Sequence, residues 1–229
     1  NPSDFAVTIG SGWSASGWTQ AAGTFSQDGA NMTIYDGNFS LSAGTYNGGA
    51  GTFTLDAVNA TRSFTISGSG TFNAATSTVF EHNSDNISVD VLTTQTFNDL
   101  TVNGLCDCGS NSVTISSGDT LITTGTLYLT GGIVNGPGLI DTRGNIVQAS
   151  TADGGSATVD FGDDGVAQTW TINGGYGPVL RLNSAADASD SVVFSAAGGF
   201  SGVSITSGFS GTVPFSNASD FAVTIGNSW

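Results

Sequence analysis

Residues with reactive chemistry are few in this chain, and they fall in small clusters. Cys106-Asp107-Cys108 holds both cysteines. On a strand the two side chains would share one face, with Cα atoms near the upper limit for a disulfide; inside the turn Gly104–Gly109 the geometry is easier. The pair therefore reads as a local or inter-subunit disulfide, with free thiols as the alternative. A redox motif wants Cys-x-x-Cys at a helix start. A zinc site needs two further ligands, and His82 is the single histidine. Asp153, Asp160, Asp163 and Asp164 crowd the glycine-rich segment DGGSATVDFGDDG. Hard oxygen ligands on turns suit Ca2+, which makes Asp160, Asp163 and Asp164 the candidate metal ligands. The spacing matches neither an EF-hand loop nor a nonapeptide calcium repeat, so solvated turn acids are the simpler reading. Paired acids also raise polysaccharide cleavage, which needs carboxyls placed across a cleft. With one His and three Arg, and with acids mostly beside Gly or Asn, the chain reads as a non-enzyme with no cofactor beyond that Ca2+.

Other polar motifs have a functional and a structural reading. Asn-x-Ser/Thr sequons stand at Asn31, Asn38, Asn59, Asn86 and Asn217. Glycosylation there would mask strand edges, yet sequons also arise by chance in a chain rich in Asn, Ser and Thr. Thr-x-Thr pairs recur at Thr52/Thr54, Thr76/Thr78, Thr94/Thr96, Thr124/Thr126 and Thr169/Thr171. A flat Thr array could bind ice, but the offsets are unequal and Thr is simply a good strand residue. Trp13, Trp18, Trp170 and Trp229 could stack on sugars or fill a core.

Composition narrows the partners. Net charge is −15, there is no lysine, and Arg62, Arg143 and Arg181 are the only firm cations. Phosphate backbones and anionic membranes need clustered Lys and Arg, so neither nucleic acid nor membrane insertion is expected. No apolar stretch reaches the length of a membrane span. Charged residues are 9% of the chain, far below the usual ~25%. Glycine, at 34 of 229, is about twice its usual share. Glu81 is the lone Glu among 18 acids, and Asp favours turns where Glu favours helices. Without an initiator Met or a signal peptide at Asn1, the chain reads as a mature or excised segment of an extracellular or cell-surface protein.

The elements that must carry these residues are short strands. An apolar residue, Thr or Ser, Ile or Val and then a Gly/Ser/Asn/Asp turn recur from Val7, Met32, Phe64, Leu100, Val113, Trp170, Val203 and Val223. Alternation puts every second side chain on one face. Further strands fit Asn38–Leu41, Thr52–Leu55, Ser77–Glu81, Ile87–Leu92, Thr120–Thr123, Ile146–Gln148, Ala157–Phe161, Val179–Leu182 and Ser191–Ser195. A second signature, AGTF or its variants, stands at Ala22, Ala43, Ala50 and Ser69. No amphipathic helix is evident. Self-similar motifs joined by Gly-rich turns, rather than tight Asn-Gly hairpins, predict an all-β right-handed parallel β-helix or β-solenoid. The alternative is an antiparallel β-sandwich with strand exchange between units.

The segments GTFNAATSTVFEH (Gly70–His82), TFNDLTVNG (Thr96–Gly104) and VTISSGDTLITTGTLYLTGGIVNGPGLI (Val113–Ile140) resemble the Gly/Thr/Asn-rich β-solenoid repeats of giant bacterial surface proteins. Filamentous haemagglutinins and autotransporter passengers are the familiar examples. The resemblance is one of repeat style over about residues 20–175. It implies a secreted adhesive or structural role and carries no catalytic residue.

The two ends of the chain are nearly one peptide. NPSDFAVTIGSGW (1–13) and NASDFAVTIGNSW (217–229) differ at three positions. A polymer needs the end of one unit to look like the start of the next. Residues 1–216 then form one β-rich unit, and 217–229 form either the start of the next repeat or an inter-unit pairing strand. The expected interface is Phe5, Val7, Ile9 and Trp13 of the first copy with Phe221, Val223, Ile225 and Trp229 of the second. The function expected is an extracellular filament or stalk, a head-to-tail homopolymer or tandem array built by backbone pairing. The alternative is a glycan-binding adhesin module.

Overall fold

A computed structural model describes residues 6–8, 12–104, 111–162, 166–183, 186, 188–206, 212–217 and 223–225. Every element among them is a strand. The first coils comprise β1 (Ala6–Thr8), β2 (Trp13–Ala15), β3 (Trp18–Ser26), β4 (Met32–Tyr35), β5 (Phe39–Asn47), β6 (Thr52–Ala57), β7 (Arg62–Asn73) and β8 (Ser77–His82). The middle coils add β9 (Ile87–Asp90), β10 (Thr94–Phe97), β11 (Asp99–Asn103), β12 (Ser112–Ile115), β13 (Thr120–Thr123), β14 (Leu127–Leu129), β15 (Ile133–Asn135), β16 (Leu139–Thr142) and β17 (Ile146–Gln148). The last coils hold β18 (Thr158–Phe161), β19 (Thr169–Ile172), β20 (Gly175–Leu182), β21 (Ser191–Phe194), β22 (Gly198–Ile205), β23 (Phe215–Ser216) and β24 (Val223–Ile225).

Strands stack on three faces. The chain visits face one, face two and face three in turn, then climbs one rung. Face three is one continuous ladder of ten strands, β2-β4-β6-β8-β11-β14-β17-β19-β21-β23. Two seven-stranded ladders, β1-β3-β5-β7-β9-β12-β15 and β10-β13-β16-β18-β20-β22-β24, share the other two faces. Long strands bend from face one to face two. In β5 the first half pairs Phe39 with Phe64 of β7, and the second pairs Tyr46 with Phe72. Every strand pairing among the described residues is parallel, which establishes the β-solenoid and rules out the antiparallel sandwich.

Residue type explains the layers. Along β8 alternate residues are buried, so Thr78, Phe80 and His82 face in while Ser77, Val79 and Glu81 face out. Each fully buried Phe removes enough apolar area from water to contribute about 1.5–3 kcal/mol. The first coils pack aromatic rings in columns. Phe39 stacks on Phe64 at 5.0 Å and 12°, and Tyr46 on Phe72 at 5.0 Å and 13°. The middle and last coils replace most of these rings with Leu, Ile and Val. Corners are fastened by Asn and Asp. The Asn31 carbonyl accepts the Thr52 N–H one rung on at 3.0 Å, Asn38 that of Ser63 at 2.9 Å, Asn86 that of Ser112 at 2.9 Å and Asn145 that of Thr169 at 2.9 Å.

The AGTF signature marks the bend of the long strands. Thr24, Thr45 and Thr71 stack in register, as do Phe25, Tyr46 and Phe72. Gly44 lies at φ 81°, and a Cβ there would sit 2.4 Å from the Gly23 carbonyl oxygen. Only glycine fits that approach. The Ala50 copy does something else, since its Thr52 and Phe53 open β6 on face three. Coil length is uneven. Leu127 stacks on Leu100, 27 residues earlier, and Ile146 stacks on Leu127, 19 residues earlier. That variation hides the rung register from any fixed period.

Candidate functional site

The two ends of the stack are the first candidate. One inward-facing column runs the length of face three in register: Trp13, Met32, Phe53, Thr78, Leu100, Leu127, Ile146, Trp170, Val192 and Phe215. The eight inner members are fully buried. Trp13 and Phe215, at its two ends, are 40% and 47% exposed. Face two ends in the same way. Phe161 and Leu182 are buried, and Ile205, next in that column, is 58% exposed. These three are core positions with no rung over them among the described residues. Trp13 packs edge-on to Trp18 at 5.7 Å and against Phe25 at 6.4 Å.

The repeated peptide lies at these ends. β1 pairs Val7 with Phe25, on face two of the first coil. β24 pairs Val223 with Gly198 and Ile225 with Phe200, on face one of the last. For Val7, Val223 and Ile225 only the main-chain course is described. Phe5, Ile9, Phe221 and Trp229 lie outside the described residues. Both copies thus supply outermost strands, but on different faces.

Asp160, the one candidate metal ligand within the described residues, has another partner. Its carboxylate accepts from Arg181 Nε at 2.7 Å and Nη2 at 2.6 Å, and from Asn183 at 3.2 Å. The sequence offers Asp160 as a cation ligand or a solvated turn acid; in the fold it is a buried strand residue bound by a guanidinium from the next rung. The Asp160 pair raises the pKa of Arg181 above its ordinary value. Asp163 and Asp164 lie outside the described residues, as do Cys106 and Cys108. Among the described residues no group of three or more His, Cys, Asp or Glu is gathered to hold a metal. Arg62 and Arg143 are also paired, with Asp36 at 2.8 Å and Asp141 at 3.3 Å. Hydrogen bonds from Asn59 and Arg62 hold the Asp36 carboxyl well below the usual range.

His82 is 1% exposed and packs against Gly104 and Gly132. Among the described residues neither ring nitrogen has a partner in hydrogen-bond geometry. The Gly131 main chain is near enough to favour protonation slightly, but burial dominates and lowers the pKa.

The sequon asparagines divide. Asn31, Asn38 and Asn86 accept main-chain N–H groups through their carbonyls at corners, as above. Asn59 donates its Nδ2, the atom a glycan would occupy, to Asp36 at 2.8 Å. Asn217 is half-buried beyond β23. The pattern Asn, apolar, Ser/Thr is what a corner, an inward residue and an outward residue spell in this fold. Thr-x-Thr pairs do not form one array. Thr52 and Thr54 stand outward on face three, Thr94 and Thr96 on face two, and Thr78 is buried. Trp170 is core, donating its ring N–H to Gln148 at 3.2 Å.

Sequence reading missed the buried glutamines. Gln27, Gln148 and Gln168 are inward residues whose amides reach main-chain carbonyls on neighbouring rungs. It also missed a groove of about 450 Å³ lined by Phe72, Asn73, Ala74, Gln95, Thr96 and Asn98. The chain matches no protein-family model, no curated protein and no solved structure.

Proposed function

We propose that this chain is an extracellular structural element, a segment of a filament or stalk that lengthens by stacking coil on coil. One observation carries the reading: the column from Trp13 to Phe215 is buried everywhere except at its two ends. Apolar core positions left open beside strand edges that are unpaired among the described residues favour a further rung. That rung can belong to the same polypeptide or to a second copy.

The strand order supports such a joint. The last described strand, β24, stands on face one, and the first, β1, stands on face two, the next position in the chain's circuit. Seated head to tail, β3 of one copy would cover β24 of another, β1 would cover β22, and β2 would cover β23. Trp13 would then meet Phe215. An exact tandem period would carry both peptide copies to one face. Their different faces favour the pairing-strand reading of 217–229.

The test has two parts. The mass of the native polypeptide separates a 22.9 kDa unit from a longer covalent array. Sedimentation of the isolated unit should show concentration-dependent association, abolished by Trp13→Asp or Phe215→Asp. A native polypeptide of unit mass that sediments as a monomer at high concentration overturns the proposal.

A further inference from the structure

The groove on face two arises from a break in the fold. β7 is 12 residues long and spans two faces, but β9 pairs only with its first half, Arg62–Thr65. The second half, Thr71–Asn73, ends one ladder, and β10 begins the other. The Gln95 side chain bridges the gap, donating to the Phe72 carbonyl at 3.0 Å and to that of Thr96 at 2.7 Å. The resulting space, about 450 Å³, falls within the roughly 300–1,000 Å³ of small-molecule sites.

Its lining is wholly uncharged, with four polar residues and two apolar ones. Three of its side chains are amides, each with at least one N–H engaged by the scaffold, which holds the amide in place. Asn73 donates to Asn47 at 2.7 Å, Asn98 to the Ala75 carbonyl at 2.9 Å, and Gln95 as described. Among the described residues no donor meets the side-chain carbonyls of Asn73, Gln95 and Asn98. The groove therefore offers fixed acceptors, the second N–H of Asn73 and of Asn98, the Thr96 hydroxyl and an apolar floor at Phe72 and Ala74. Fixed acceptors select a ligand rich in O–H donors, and the floor selects one with a C–H face. With no arginine in the lining, nothing compensates an anionic ligand.

We infer that this groove binds a neutral carbohydrate chain, through hydroxyl donation to Asn73, Gln95 and Asn98. The inference does not depend on stacking, because the groove lies away from both ends.

The experiment is two-dimensional NMR of the 15N-labelled chain titrated with cellohexaose, laminarihexaose and mannohexaose. At least one should shift the side-chain NH2 signals of Asn73, Gln95 and Asn98 progressively to saturation. Thr96→Arg, which fills the groove from its outer side, should weaken that binding at least tenfold. Thr101→Arg, outward on face three, should leave it unchanged. If Thr96→Arg does not fold, Asn73→Leu takes its place with the same expected loss. Absence of any saturable shift at millimolar sugar, shifts that persist in the groove variant, or shifts produced only by calcium chloride would each overturn the assignment.

Discussion

His82 shows how much of a residue's behaviour is set by its surroundings. As the single histidine it counted only against a zinc site and an enzyme, yet it is a buried polar side chain of β8, wedged against glycines of later coils. Its charge is opposed by burial, and the neighbouring acids do not offset this. Glu81 and Asp56, adjacent on the outer side, have raised pKa values, mainly through their own burial and then through repulsion by another acid. A histidine whose folded pKa lies below its unfolded value binds fewer protons folded than unfolded. Its penalty is absent above the ordinary value of 6.5 and grows as pH falls from there toward the lowered value, by at most about 1.4 kcal/mol per pH unit. The raised carboxyls act oppositely, adding stability as pH falls through their own range. Comparison with His82→Leu cancels them. The thermal midpoint of the native chain, relative to this variant, should fall between pH 7.5 and pH 5.5. A constant difference over that range would exclude the account. At this scale the asparagines were half legible: their spacing marked sequons, but the corner role needs a partner one rung away, which no local pattern names.

Strands were the most legible level, because alternation and turn residues are local. The expected segments Thr52–Leu55, Ile87–Leu92 and Ser191–Ser195 correspond to β6, β9 and β21. What local reading could not supply was continuity through a bend. SGSG at Ser67–Gly70 looks like a turn, but it lies inside β7, where the glycines let the strand change face. Bends and corners bury polar main chain, and the glutamines serve there. Gln148 Nε2 donates to the carbonyls of Gly174 at 2.9 Å and Gly175 at 3.1 Å, while its carbonyl accepts the Trp170 ring N–H. Replacing it with Leu keeps the bulk and orphans those groups. Since a buried unsatisfied group costs about 1–3 kcal/mol, Gln148→Leu should destabilise the chain by roughly 3 kcal/mol, read from urea denaturation. A loss under ~1 kcal/mol would mean that water replaces the amide.

For the whole molecule, register is what the sequence concealed. Rungs of unequal length blur any period, so the buried column with open ends became visible only once strands were paired. The same architecture sets how damage spreads. Each coil touches mainly the coil before and after it, so stability resembles a chain of nearest-neighbour terms. Phe64 is in the aromatic stack of the first coils, within 5.0–6.1 Å of Phe39, Phe53, Phe72, Phe80 and Phe97. Phe64→Ala removes contacts to all five rings and should cost about 3–5 kcal/mol locally. In a globular core that loss would be felt everywhere. In a stack it should be confined. Hydrogen exchange measured by mass spectrometry should speed up in β3 to β8, while β18 to β22 keep the protection of the native chain. Equal loss of protection in both regions would show that the coils unfold as one cooperative block, and stacking of independent units would then be a poor description of how this molecule is held together.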